Sequence, residues 1–218
     1  MENRNINMKD DTKNIPENMQ ETFVRFNEIM LRAYSSYLLW KQIKISISPK
    51  DITQEEASRR LNIMNKYQDG RIFQTLLYSL ENSFIIDLQK FFEKKPSSIR
   101  LINTQNFTLF KGFFLEKSDT DEIKNLFSTA SIKKAIANLY VLRTKFVAHE
   151  AKDLPRDTKI YITEKEEIFS VVKQILKIIG NRNNFDCFIF DDLEQGTEQY
   201  FKTLLDDLEC GEEIRYEN

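Results

Sequence analysis

The chain carries a single histidine, His149, and Arg143 stands six positions before it in the run Val-Leu-Arg-Thr-Lys-Phe-Val-Ala-His-Glu-Ala-Lys-Asp over residues 141–153. Imidazole is the side chain whose ordinary pKa lets it give or take a proton near neutrality, so acid–base chemistry by histidine has one place to occur. A guanidinium close by could hold a phosphate or stabilise charge developing on it. On a continuous helix these two side chains stand roughly 120° apart around the axis, while Lys145 shares the face of His149 at i,i+4. The plain alternative is that a lone histidine near a helix end neutralises the last carbonyls and does nothing more. Other chemistries lack their residues. There is no Gly-rich phosphate loop, no Cys or His spacing that would ligate a metal, and no second histidine to complete a Ser or Cys triad. We therefore expect no metal and no cofactor.

The segment carrying the pair reads as a helix. Ile132, Ile136, Leu139, Arg143 and Phe146 are spaced by three or four, Ser131 can start it, and Leu154-Pro155-Arg156-Asp157 is a turn beyond it. Upstream, Phe23, Phe26, Met30, Ala33, Tyr37, Trp40 and Lys44 mark a first helix from Glu17 to Ile47, stopped by Ser48-Pro49. Thr53-Gln54-Glu55-Glu56 matches a capping box that opens a second helix, and Asp69-Gly70 breaks or kinks it. Phe73, Leu76, Leu77, Leu80, Phe84, Leu88 and Phe91 give the strongest amphipathic stripe, predicting a helix over 71–94. Lys95-Pro96-Ser97-Ser98 closes it, and the next twenty or so residues, with Phe107, Phe110, Phe113 and Phe114 lacking clean periodicity, read as a connecting segment packed on the bundle, followed by a short helix through Phe127 capped by Asp119 or Thr120. Thr163-Glu164-Lys165-Glu166 is a second capping box, opening a helix that Gly180 closes as a C′ residue. A final helix spans Asp191 to Leu208 and leads into an acidic tail.

Composition agrees with few, long elements. Five Gly and four Pro in 218 residues leave little room for the turns of a many-stranded fold. The expected fold class is all-α: an up-and-down bundle of four to five main helices with an additional C-terminal helix. Its divisions are a disordered N-terminal tail over 1–15, a bundle over 16–183, and a C-terminal helix with acidic tail over 184–218. The seventeen Phe and eight Tyr are expected to fill the core, with stacking on RNA bases the sharper alternative for a few of them. Cys187 and Cys210 are expected to be reduced, and with no apolar run of membrane-spanning length and no signal-peptide core, the location expected is the cytoplasm, off the membrane. A net charge of −2 gives no overall basic field, so RNA binding would rest on a local patch such as Lys133, Lys134, Arg143, Lys145, Lys152, Arg156 and Lys159, diluted by Glu150, Asp153 and Asp157.

The run Arg143-Thr144-Lys145-Phe146-Val147-Ala148-His149 resembles the Arg-x(4–6)-His signature of HEPN (higher eukaryotes and prokaryotes nucleotide-binding) domains, in wording most similar to their prokaryotic abortive-infection group. Residues 71–92, Arg-Ile-Phe-Gln-Thr-Leu-Leu-Tyr-Ser-Leu-Glu-Asn-Ser-Phe-Ile-Ile-Asp-Leu-Gln-Lys-Phe-Phe, resemble the second long helix of those proteins, and the likeness extends over roughly 17–180. It implies a HEPN-like bundle, used as a homodimer whose two motifs line the cleft between subunits. It also implies metal-independent cleavage of RNA in phage defence (abortive infection, toxin–antitoxin type), with an antitoxin or other defence-system protein as a further partner. Arg143 and His149 would then be catalytic. His149 would take the ribose 2′-hydroxyl proton or protonate the leaving 5′-oxygen, Arg143 would stabilise the phosphorane, and Thr144, Lys145 and Lys152 would support or bind the RNA. Catalytic members commonly carry Asn, Asp or His where this chain has Thr144. Glu81 or Asp87 could add an acidic group from the preceding long helix, or could be ordinary ion-pairing residues. The second class of function is a non-catalytic helical module that binds RNA or a protein and is regulated by a partner.

Overall fold

A computed structural model of the protein describes residues 19–47, 52–66, 71–92, 102–103, 108–109, 113–147, 160–188 and 190–216. The N-terminal stretch expected to be a disordered tail lies outside them. Among the described residues the fold is all-α: seven helices, α1 (Met19–Ile47), α2 (Gln54–Lys66), α3 (Arg71–Lys90), α4 (Lys117–Leu126), α5 (Ala130–Val147), α6 (Ile162–Asn183) and α7 (Asp191–Tyr216). The one extended element among the described residues is a two-residue pair, β1 (Ile102–Asn103) antiparallel to β2 (Thr108–Leu109), with Ile102 opposite Leu109 and Asn103 opposite Thr108. None of the described helices is long and apolar enough to cross a membrane.

α1 is the hub. Phe23, Phe26, Met30, Ala33, Tyr37 and Trp40 are all buried, as their spacing requires, while Lys44 is exposed and turns back over the Trp40 ring at 5.7 Å. α3 runs antiparallel along one flank, with Phe26 against Phe91, Arg32 against Asp87 and Ser36 against Ser83. α6 runs antiparallel along another, pairing Tyr34 and Tyr37 with Phe169 and Phe23 with the segment after Gly180. Tyr37 touches the rings of Trp40, Phe84 and Phe169 at 6.0, 5.7 and 4.8 Å, so the aromatic residues of α1 are spent on the core rather than offered to bases. A fully buried ring of this kind contributes about 1.5–3 kcal/mol.

A second, smaller cluster forms where the C-terminal end of α1 meets α2, α3 and α7: Ile43, Ile63, Met64, Phe73, Phe201 and Leu205. Arg59 of α2 ties it from outside, donating to Asp206 at 2.7 Å and to Glu209 at 2.8 Å on α7. α7 runs parallel to α1, from Glu194 beside Tyr34 to Phe201 and Leu205 beside Ile43. It continues to Tyr216 rather than stopping at Leu208. Gly211 costs about 1 kcal/mol inside a helix but does not break one, and Glu212, Glu213 and Arg215 are helix formers.

Helix ends show where local signals were overridden. Thr53 caps α2 as expected, its hydroxyl accepting from Glu56 N at 3.3 Å, although Glu56 Oε1 takes a bond from Arg60 Nε at 2.6 Å. α6 begins two residues earlier than the Thr163–Glu166 box requires. Glu164 Oε2 accepts from Tyr161 N at 2.9 Å, while Glu166 is held across the bundle by Lys41 at 2.6 Å. Glu116 is the N-cap of α4, with Asp119 Oδ2 accepting from Glu116 N at 2.9 Å, and Thr129 Oγ1, not Ser131, accepts from Ile132 N at 3.3 Å at the start of α5. α3 stops at Lys90, its last turn tightening through Phe91 N to Leu88 O at 3.1 Å and Phe92 N to Gln89 O at 2.9 Å.

Gly180 does not end α6. The left-handed cap is Asn184, at φ 55° and ψ 41°, four residues on. Gly180 is glycine because the chain after the helix folds back on it: a Cβ there would overlap Cys187 Sγ and come to 3.1 Å from both Phe185 O and Phe23 Cζ. Gly180→Ala is therefore expected to destabilise the fold by about 1–3 kcal/mol in urea unfolding, opposite in sign to the gain of about 1 kcal/mol usual for this change inside a helix. Adding Cys187→Ala to the variant should recover part of the loss, and a non-additive double-mutant cycle is the check.

Candidate functional site

α5 is laid down by a buried stripe of Ile132, Ala135, Ile136, Leu139 and Leu142, spaced so that one face meets the core. Near its start it is tied to α6 by Ser131 Oγ, which donates to Glu167 at 2.5 Å, and by a long Lys134–Glu164 pair at 3.9 Å. Further along, Tyr140 donates its hydroxyl to the carbonyl of Phe92, just past the end of α3. Arg143 comes one turn later, at the border of the buried stripe and itself half-buried. A cation in the last stretch of a helix has the sign that its C-terminal end favours.

Thr144, the next residue, is exposed, and its Oγ1 donates back to Tyr140 O at 2.9 Å. The hydroxyl is thus tied to its own helix, an i→i−4 bond common for threonine. Lys145 lies on the same last stretch of α5, which ends at Val147. His149 and Lys152 lie outside the described residues, as do Glu150, Asp153, Arg156 and Lys159. Of the expected basic patch, Lys134 is exposed but faces Glu164, so acidic residues of α6 temper it.

The two carboxylates considered as further contributors are committed elsewhere. Asp87 is 6% exposed and bridges Arg32, at 3.3 Å, and Lys90. Glu81 pairs at 2.8 Å with Lys165 of α6. Lys165 is the functional-looking group that sequence reasoning passed over. It is 3% exposed, its ammonium sits 3.7 Å from the Trp40 ring centroid and 5.1 Å from that of Phe84, and burial pulls its pKa below the ordinary lysine value, with Glu81 opposing. The signal was present: Lys165 falls three before Ile168 and seven before Val172, on the apolar stripe of its own helix.

Among the described residues no group of three or more His, Cys, Asp or Glu side chains could hold a metal ion, and both cysteines are free thiols. Comparison with protein-family models, with curated proteins and with solved structures finds no match to this chain.

Proposed function

We propose that this protein is a HEPN-type, metal-independent endoribonuclease, a toxin-like effector of phage defence that works as a homodimer on RNA. The observation that carries the reading is Arg143, near the end of α5 in an all-α bundle, with the chain's sole histidine six residues further on in the sequence. In this mechanism His149 takes the proton from the ribose 2′-hydroxyl, or returns one to the leaving 5′-oxygen, and Arg143 neutralises charge on the phosphorane. Lys145 and Lys152 hold the flanking phosphates. Two subunits would bring two such pairs to one groove, which a single helix end cannot do. The RNA would leave with a 2′,3′-cyclic phosphate on one fragment and a 5′-hydroxyl on the other.

A second reading, a non-catalytic helical module that binds RNA or a regulatory partner, draws support from Thr144, whose hydroxyl is turned back on its helix, and from the engagement of Glu81 and Asp87 in ion pairs. The two readings separate in one experiment. End-labelled RNA and DNA of the same sequence are incubated with the purified protein in EDTA. The nuclease reading expects cleavage of the RNA alone with cyclic-phosphate ends. Intact RNA at an excess of protein gives the module reading its place.

A further inference from the structure

The buried ammonium of Lys165 has an unanswered donor beside it. Trp40, the chain's sole tryptophan, is 4% exposed, and its indole Nε1–H is buried with no hydrogen-bond partner among the described residues. A buried donor left unpaired is costly, and native interiors seldom carry one. Lys165 Nζ lies 3.7 Å from the centroid of the same indole, so the two donors are close neighbours. Lys44, one turn after Trp40 on α1 and exposed, brings a third, its Nζ 5.7 Å from that ring. Its charge acts on Lys165 directly, opposing protonation there. The charges about the ring are also unequal. Ammoniums of Lys41, Lys44 and Lys165 gather where α1 meets the start of α6, against the carboxylates of Glu166, 2.6 Å from Lys41, and Glu81, 2.8 Å from Lys165. Among these five groups one positive charge is left over.

We propose that a small monovalent anion, chloride or bromide, binds at the edge of the Trp40 indole between Lys44 and Lys165. Ammoniums and an indole N–H only donate, so an occupant that accepts from all three answers every group at once. A halide accepts over its whole surface. A water has two protons of its own to place, and it meets mostly donors there. Charge sets the same preference, because an anion neutralises the surplus and a water does not. Glu81 and Glu166 keep their lysines in this arrangement, since an ammonium carries three N–H groups and each carboxylate takes only one of them. Lys44, being exposed, gives the ion its way in from solvent. The site belongs to α1 and α6 and does not rest on RNA cleavage at Arg143 and His149.

A single tryptophan makes the test direct, because bromide quenches an indole that it touches. Fluorescence of the full chain is followed as sodium bromide replaces sodium gluconate, up to about 0.15 M at constant ionic strength. A bound ion gives quenching that saturates and that sodium chloride reverses by competition. Collision with a ring so little exposed gives a small linear quench that chloride leaves unchanged. Lys44→Gln, a change at an exposed position, should weaken bromide about three- to tenfold. Lys165→Met should abolish saturation while circular dichroism stays that of the parent; if that variant does not fold, Lys44→Gln decides alone. Linear, chloride-insensitive quenching of the parent, the same bromide midpoint in Lys44→Gln and the parent, or saturation that survives in Lys165→Met would each overturn the proposal.

Discussion

Replacing Arg143 or His149 by alanine is expected to lower the rate of RNA cleavage by about 10²- to 10⁴-fold, the range for removing a positioned general acid–base group or a stabiliser of transition-state charge. The two losses should not multiply, since both groups act on one transition state. The double variant should fall only slightly below the worse single one. Circular dichroism and urea midpoints should stay close to those of the parent, because Arg143 borders the core without filling it. Thr144→Ala is the informative control. Its hydroxyl is bonded to Tyr140 O, so a change of less than about threefold marks it as a helix residue. A Thr144 loss as deep as that of Arg143 would instead make the hydroxyl part of the reacting site. Single-turnover rates with saturating enzyme measure these differences directly.

The second large effect concerns Lys165. Glu81→Gln should cost about 2 kcal/mol at neutral pH, less than for a fully buried pair because Glu81 keeps part of its exposure and water can replace some of what is lost. Lys165→Met, by contrast, should stay within about 1 kcal/mol of the parent. It keeps the stem that fills the space against Trp40 and Phe84, and its sulfur retains a favourable contact with the rings. Should Lys165→Met cost as much as Glu81→Gln, the ammonium itself would be the stabilising element.

Titration gives the sign independently. Burial lowers the Lys165 pKa in the fold from its ordinary 10.5, so between the folded and unfolded values the unfolded chain binds more protons. Stability contributed by this group therefore rises with pH across that window and is lost as pH falls through the folded value. Measured by urea unfolding at pH 7 and again near pH 10, the parent should gain relative to Lys165→Met, in which the other groups titrate alike. A gap unchanged by pH would contradict the shift.

The elements most legible in the sequence were those whose periodicity is long. The α1 stripe from Phe23 to Trp40 and the α3 stripe from Phe73 to Phe91 repeat the helical period often enough that no tertiary contact was needed to read them. What was missed is non-local. Gly180 looks like a helix terminator because the rule for glycine at C′ is local, whereas Cys187 and Phe23, which leave no room for a Cβ, meet it only in the fold. The Thr163–Glu166 box failed for the same reason, since Lys41 and Tyr37, more than a hundred residues earlier, hold Glu166. At the candidate site, the place of Arg143 near a helix end could be read from Ile132, Ile136 and Leu139. The bond that turns Thr144 back onto Tyr140 could not, because a threonine hydroxyl has several equivalent choices until the helix is built. Lys165 was passed over because a lysine is counted as surface, although its position in the stripe said otherwise.

The arrangement of partners around α1 also sets the order in which the protein can be assembled as it is made. α3 can cover one flank once residue 92 has been synthesised, but the contacts of α1 with Phe169, Phe201 and Glu194 are separated from it by well over a hundred residues. At about 5–20 residues per second, the hundred or so residues between the end of α3 and the start of α7 take the ribosome roughly 5–20 s to add. For most of that interval Tyr34 and Tyr37 have no α6 to lie against, and throughout it Tyr34 and Ile43 have no α7. A nascent chain in this state is a substrate for chaperones and prone to self-association, so the aromatic face that fixes the finished bundle is also its point of greatest exposure during translation.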